Sequence, residues 1–236
     1  PQSYLTPEER AAINVEIYNY GKDLAAEKRR APADDIWTIL TKAEIEQPDG
    51  TRTTLSEFEL DLFFSLLILA GSETTRGAIS SGLLALLQHP AEMDKLRSAT
   101  EMPASAVDEI LRWSTPVTYF RRTAAQDVEL HGMKITGGER VVVLFPAANR
   151  DEEAFADPFT FDLDRTPNPH VSFGGGGIHY CLGANLARRE IRVLFEELFA
   201  RVGDIELLRE PDYSVAGLAI PITVAIKDMP VRLTAR

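Results

Sequence analysis

The sequence contains a single cysteine, Cys181, and only two tryptophans among its 236 residues. One cysteine excludes an internal disulfide framework and suits a reducing cytoplasm, while leaving a ligand or nucleophile role open. Positive charge is also short: 25 Lys and Arg against 36 Asp and Glu give a formal charge of −11. No nucleic-acid partner is expected, because binding phosphates needs a concentration of Lys and Arg. Long hydrophobic runs are missing as well. The most apolar stretch, Leu62 to Ala70, is interrupted by Ser65. It falls short of the roughly 20 residues needed to cross a bilayer, so no transmembrane segment and a cytoplasmic location are expected. Neither a signal-peptide pattern nor an initiator methionine precedes the helix-compatible residues after Pro1, so an upstream part outside this sequence is expected. What is present, 44% hydrophobic and 26% charged residues, is the composition of a globular domain able to bury a sizeable core.

Helical signals dominate. Residues 7–30 carry apolar positions three and four apart and a basic last turn, which predicts a helix. A second, short helix is predicted from Asp34 through Ile45, followed by a turn at Pro48-Asp49-Gly50. Ser56 and Glu59 form a capping box that opens the longest predicted helix, which Pro90 stops after Gln88-His89. Shorter helices are predicted over 91–97 and, after Pro103, over 104–113. Val128–Leu130, Met133–Ile135 and Arg140–Leu144, separated by His131-Gly132 and Gly137-Gly138, read as a small antiparallel meander. Residues 147–172 have little periodicity, and long irregular stretches in compact domains tend to be functional. Helical sequence resumes near Gly183 and runs to about Ala200, and short strands are predicted around 205–208 and 222–225.

Three features carry chemistry. The first is Phe173 to Gly183, four glycines followed by Ile-His-Tyr-Cys-Leu-Gly. Glycine lets backbone approach a large ligand closely, and a helix beginning after Cys181 aims its amide dipoles at the sulfur, favouring thiolate. A thiolate is a strong axial donor to haem iron. A lone cysteine beside a flexible loop is more often an inert buried thiol, and a phosphate loop is excluded because no Lys-Ser or Lys-Thr follows the glycines. The second is Ala70-Gly-Ser-Glu-Thr-Thr75, where an apolar helix gives way to an acid and two hydroxyls. Gly71 leaves room, threonine hydroxyls compete for backbone carbonyls, and Glu73 with Thr74 forms a pair able to relay protons. The bland alternative is a polar patch where a long helix meets solvent. The third is Glu109 and Arg112, three apart on one helix face. Exposed pairs of this kind contribute only ~0–1 kcal/mol, so this one matters only if it is buried and joined by a third partner such as Arg165.

In this order the features resemble the cytochrome P450s family. Ala-Gly-x-Glu-Thr-Thr is similar to its oxygen-activating helix, Glu109-Ile-Leu-Arg112 to its Glu-x-x-Arg motif, and Phe173 to Gly183 to its haem-binding signature. The resemblance covers essentially the whole sequence and implies a mainly α fold with small β-sheets, residues 1–236 being the C-terminal part of a single domain. It implies haem b (iron protoporphyrin IX) as cofactor, with Cys181 as the iron ligand and Gly71, Phe173 and Gly183 around the haem and its bound oxygen. Arg122 and His179 would meet haem propionates, Arg121 being the rival of Arg122. Glu73 and Thr74 would deliver protons. The implied activity is a monooxygenase that uses O2 to hydroxylate a C–H bond of a hydrophobic small molecule, a lipid, sterol or terpenoid. Because no flavin or dinucleotide fingerprint appears, a ferredoxin and its reductase are the expected electron donors. Arg188, Arg189 and Arg192 offer a basic docking patch. In the family signature the aromatic stands seven positions before the cysteine, whereas Phe173 stands eight before Cys181. That longer form resembles a bacterial branch acting on sterols and methyl-branched lipids. The alternatives are a truncated haem-binding relative without turnover, a peroxide-driven peroxygenase, and a haem-free binding module.

Overall fold

The computed structural model describes residues 6–213 and 222–236, apart from the side chain of Arg10. The chain forms two compact units, Pro1–Ser72 and Glu73–Arg236.

In the first unit, helix α1 (Pro7–Arg30) starts at a capping box. Glu9 N donates to Thr6 Oγ1 at 3.2 Å and Thr6 N donates to the Glu9 carboxylate at 2.8 Å. Asp35 caps α2 (Ile36–Leu40), accepting from Thr38 N at 2.7 Å. The helix predicted to reach Ile45 therefore ends at Leu40. The Thr41 hydroxyl bonds back to the Thr38 carbonyl, and Glu44–Glu46 (β1) pairs instead with Arg52–Thr54 (β2) across the Pro48-Asp49-Gly50 turn. Asp49 closes that turn by accepting from both the amide and the hydroxyl of Thr51. Ala25, Trp37 and Phe64 make the small core of this unit. Gly21 is required there, since a β-carbon on it would fall 2.8 Å from the Phe64 ring.

Helix α3 (Glu57–Gln88) begins at the predicted capping box, with Ser56 and Glu59 bonded reciprocally. It is the one helix among the described residues long and apolar enough to cross a membrane, with a mean hydropathy of 1.2 over 18 residues. The core helix of a globular domain has the same composition.

The second unit packs the later turns of α3 with α4 (Pro90–Ser98), α5 (Ala104–Ser114) and α7 (Ala184–Arg201). Leu86, Ile110, Ile191 and Phe195 are completely buried at the centre of this core. Three two-stranded ribbons among the described residues accompany the helices of this unit. The predicted meander is not one sheet. Val128–Leu130 (β4) and Met133–Ile135 (β5) pair with each other, whereas Arg140–Leu144 (β6) pairs with Tyr119–Thr123 (β3). Arg122 thus lies within a strand rather than ahead of the first one. Between β6 and α7 runs a single helical turn, α6 (Phe145–Ala148), and then an irregular stretch to Gly183. Val202–Leu207 (β7) pairs with Val231–Ala235 (β8). The strand predicted at 222–225 is reduced to one bridge, Thr223 to Val117, while Val-Arg-Leu-Thr-Ala supplies the alternation that β7 needs.

Gly82 marks the tightest contact of α3 with α5. A β-carbon there would lie 2.6 Å from Cγ2 of fully buried Ile110. Ile110 is β-branched and stiff, so it does not move aside readily. Gly82→Ala is expected to lower stability by about 1–3 kcal/mol from overpacking, despite the roughly 1 kcal/mol that alanine gains in helix propensity. Urea denaturation checks this; an unchanged or raised midpoint would contradict the packing.

Candidate functional site

The site is anchored at α5. Glu109 and Arg112 are both completely buried and joined by two hydrogen bonds of 2.7 Å. All five N–H donors of Arg112 are used: two on the Glu109 carboxylate, and the others on the carbonyls of Asn149, Pro158 and Thr160 at 2.8–3.0 Å. Glu109 accepts as fully, from Asp162 N, Arg165 Nε and Asn168 Nδ2 besides Arg112. Arg165 completes the triad that the sequence suggested, and its other donors reach the carbonyls of Ala156, Asp157 and Thr160. The ion pair is therefore the hub to which the irregular stretch is fastened through its own backbone.

Asn149, completely buried, extends the hub toward the cysteine loop. Its side-chain NH2 donates to the hydroxyls of Thr115 and Ser172, and its Oδ1 accepts from Val171 N. Thr115 ends α5 in the left-handed region, at φ 37°, where its hydroxyl donates to the Arg112 carbonyl. A second clamp stands beside it. Asp108 accepts from Arg188 Nε at 2.8 Å and from His170 Nε2 at 3.2 Å, while His170 Nδ1 accepts from Ser172 N. A neutral imidazole protonated on Nε2 satisfies both contacts. The Arg188 guanidinium lies 4.6 Å from the centre of the Phe173 ring. Neither Asn149 nor the trio of Asp108, His170 and Arg188 carried a signal in the sequence, because the bonds that tie them together and to α5 span 22 to 80 residues.

From these clamps the loop reaches Cys181. Gly174, Gly176 and Gly177 have φ of 94°, 97° and 77°, a region that costs other residues about 1–2 kcal/mol each. The Cys181 amide donates to the Phe173 carbonyl at 3.0 Å, so the eight-residue spacing still closes into a loop. Gly183 caps α7, and a β-carbon placed on it would lie 4.0 Å from the Cys181 sulfur. The thiol is exposed. Ile178 and Leu182, on either side of it, are 98% and 81% exposed, and a β-carbon at Gly175, Gly176 or Gly177 would meet nothing within 4 Å. A bare glycine backbone flanked by uncovered apolar side chains around an accessible sulfur fits the face of a flat, largely apolar group such as haem. His179, two residues before the cysteine, is also exposed.

The other predicted residues lie on α3 and β3. Glu73 and Thr74 sit on one turn of α3, and Gly71 on the turn preceding them. Glu73 approaches Arg76 at 3.9 Å and accepts a long bond of 3.5 Å from the Thr223 hydroxyl. Thr223 bridges Val117, and the Ile222 carbonyl accepts from Thr118 N. The approach to β3 and the acid of α3 are thus brought to one segment. Gly77 permits that approach, with the Val224 carbonyl 3.3 Å from where its β-carbon would be. Arg121 and Arg122 project from opposite faces of β3, as alternation requires. The Arg122 guanidinium is 5.7 Å from the centre of the Phe120 ring. Of the three arginines suggested as a docking patch, Arg188 is taken by Asp108 and Arg192 by Glu101 and Glu196, leaving exposed Arg189.

A mainly helical unit that presents one cysteine from a glycine loop just ahead of a helix, above a buried Glu-Arg-Arg hub, defines a haem-thiolate class of site. The chain belongs to the cytochrome P450s family, whose model matches residues 9–201. It is 47% identical over 220 residues to a methyl-branched lipid omega-hydroxylase of Mycobacterium tuberculosis, covering 93% of this chain and 49% of that protein. It is 45% identical over 206 residues to a steroid C26-monooxygenase of the same species, covering 87% of this chain and 46% of that protein. Among solved structures, CYP109E1 from Bacillus megaterium in complex with testosterone superposes with a TM-score of 0.85 at 34% identity, over 95% of this chain and 60% of that one. The chain spans about half the length of the curated relatives it matches.

Two outcomes test the clamps. Lysine offers three donors from one atom and cannot serve five acceptors, so Arg112→Lys is expected to cost about 3–5 kcal/mol, the range for breaking a buried ion pair. A loss below about 1 kcal/mol in chemical denaturation would contradict the hub, because that is the range of an exposed pair. Burial opposes ionisation of Asp108, yet the hydrogen bonds from His170 and Arg188 outweigh it and hold its carboxyl below the usual range. A carboxylate held down in this way adds stability above its unfolded value of about 3.9, and that stability is lost as pH falls through the lower folded value. Asp108→Asn should therefore lower the urea midpoint at neutral pH and flatten the decline in stability below about pH 4. Parallel acid limbs in the two proteins would count against the clamp.

Proposed function

We propose that this chain is the haem-carrying part of a haem-thiolate monooxygenase that hydroxylates a C–H bond of a hydrophobic small molecule. The observation that carries the reading is Cys181, accessible at the end of the Gly174–Gly177 loop immediately ahead of α7. Haem b, when bound, supplies an iron at which O2 is reduced so that one oxygen atom enters substrate and the other leaves as water. Cys181 Sγ, two residues ahead of the Gly183 N-cap of α7, would hold the iron as a thiolate donor. Phe173 and Gly183 wall the sulfur, and His179 and Arg122 hold the propionates, whose charge needs donors in a dry pocket. Gly71, where a β-carbon would meet nothing within 4 Å, would leave room beside α3. The Glu73 carboxyl and the Thr74 hydroxyl, adjacent on α3, would relay the protons that the reduction consumes.

A lipid, sterol or terpenoid substrate is supported by the names of the relatives, which act on methyl-branched lipids and steroids. Electrons come from a ferredoxin and its reductase in the cytoplasm, and residues 1–236 form the C-terminal part of a single domain. The alternative is a truncated haem-binding relative without turnover. Thr74→Ala separates the two in a chain of the relatives' full length supplied with ferredoxin, reductase and a branched fatty acid or sterol. The monooxygenase reading expects NAD(P)H consumption to continue while the yield of hydroxylated product per NAD(P)H falls severalfold. Unchanged coupling would overturn the role of Thr74, and no product from the unmodified protein with any of these substrates would favour the alternative.

A further inference from the structure

The candidate lies away from the cysteine loop, between α4, α7 and the end of β8. A cavity of about 170 Å³ opens there, lined by Arg97, Met102, Phe195, Phe199, Glu196 and Arg236 among others. This is well beyond the ~10–15 Å³ that one water needs. Arg97 is the unusual member. Its Nε and Nη2 are buried and have no hydrogen-bond partner, although buried polar groups are almost always paired and an unmade bond to a charged donor is expensive. The nearest carboxylate, Asp204, stands 3.9 Å from Nη2, beyond hydrogen-bond distance, and its side chain is 70% exposed. Among the described residues, the other contact to the guanidinium is the Phe199 ring, whose centre lies 6.0 Å away.

The acid that lines the cavity does not answer Arg97. Glu196 accepts from Met102 N at 2.9 Å and from Arg192 Nε at 3.0 Å, and these bonds hold its carboxyl below the usual range. Exposed Arg236 also lines the cavity. Phe195 and Phe199, stacked with ring centres 6.0 Å apart, provide an apolar floor beside these cations. Two unanswered donors on a guanidinium match the two oxygens of a carboxylate, and the aromatic floor matches an apolar body attached to it. We propose that this cavity is a binding site for a small organic carboxylate, the carboxylate on Arg97 and the apolar part against Phe195 and Phe199.

The Met102 methyl group reports on the site, because it lines the cavity. In the haem-loaded chain labelled with 13C-methyl methionine, titration with benzoate should shift the Met102 resonance saturably, and neutral benzamide should not. Arg97→Gln should weaken benzoate binding at this resonance at least about tenfold, as the loss of charged hydrogen bonds implies. Asp204→Asn, which removes the one competing acid, should leave it as tight or tighter. Retention of the Met102 response in both variants, together with a folded spectrum, supports the site only if Arg97→Gln is the weaker binder; equal titrations would overturn it. So would the absence of any saturable Met102 shift with benzoate, or an equal shift with benzamide.

Discussion

Arg112 is the side chain on which the rest of the site depends. A guanidinium buried without access to water must place five N–H groups, and here all five find acceptors. Two go to the partner carboxylate on the same helix, and three go to carbonyls of a stretch that has no regular structure of its own. A long irregular segment has no ladder in which to satisfy its backbone, so its carbonyls need such donors. Arg165 repeats the arrangement from within the stretch and returns to Glu109. The cost of burying these charges is offset because every lone pair and proton is met.

The cysteine loop inherits its position from that hub. Asn149 and Ser172 tie the start of the loop to α5, and Asp108 with His170 and Arg188 ties Phe173 to α5 and α7 together. Beyond Phe173 the glycines turn through backbone conformations closed to other residues, and α7 takes over after Gly183. Rigid elements thus hold both ends of a loop whose first part, residues 174–177, carries no side chains. This is how an extra glycine, relative to the family spacing, is absorbed while the Cys181 amide still reaches the Phe173 carbonyl. Binding precision for a cofactor follows from a framework of this kind, since the groups around the sulfur do not have to be ordered when it binds.

The helices were legible because their ends are written in local chemistry. The helix predicted from Pro7, the Ser56–Glu59 capping box, Pro90 and Pro103 mark starts that the structure reproduces within a residue. The Glu109–Arg112 pair was legible as a spacing, but its burial was not. Tyr-Phe-Arg-Arg-Thr lacks alternation, so β3 went unseen and β6 was assigned the wrong neighbour. At 34–45 the local pattern favoured a longer helix, and the hairpin that ends it depends on the Asp49 turn. Asn149, Thr115 and His170 left no trace, because the bonds that join Asn149 to Thr115, Ser172 and Val171, and His170 to Asp108, span 22 to 62 residues. Carbonyl acceptors have no sequence signature at all, since every residue carries one. Among the described residues, the acids that pair with two of the three arginines suggested as a docking patch, Asp108 with Arg188 and Glu101 with Arg192, likewise come from distant parts of the chain.

The central claim is that Cys181 ligates haem iron through its sulfur, and the absorption spectrum of the reduced, CO-bound protein tests it most directly, with Cys181→Ala as the control. A strongly red-shifted Soret band that vanishes in the variant is the expected result. A haem-loaded protein whose reduced, CO-bound band lacks that shift, or keeps it after Cys181 is replaced, would contradict the account.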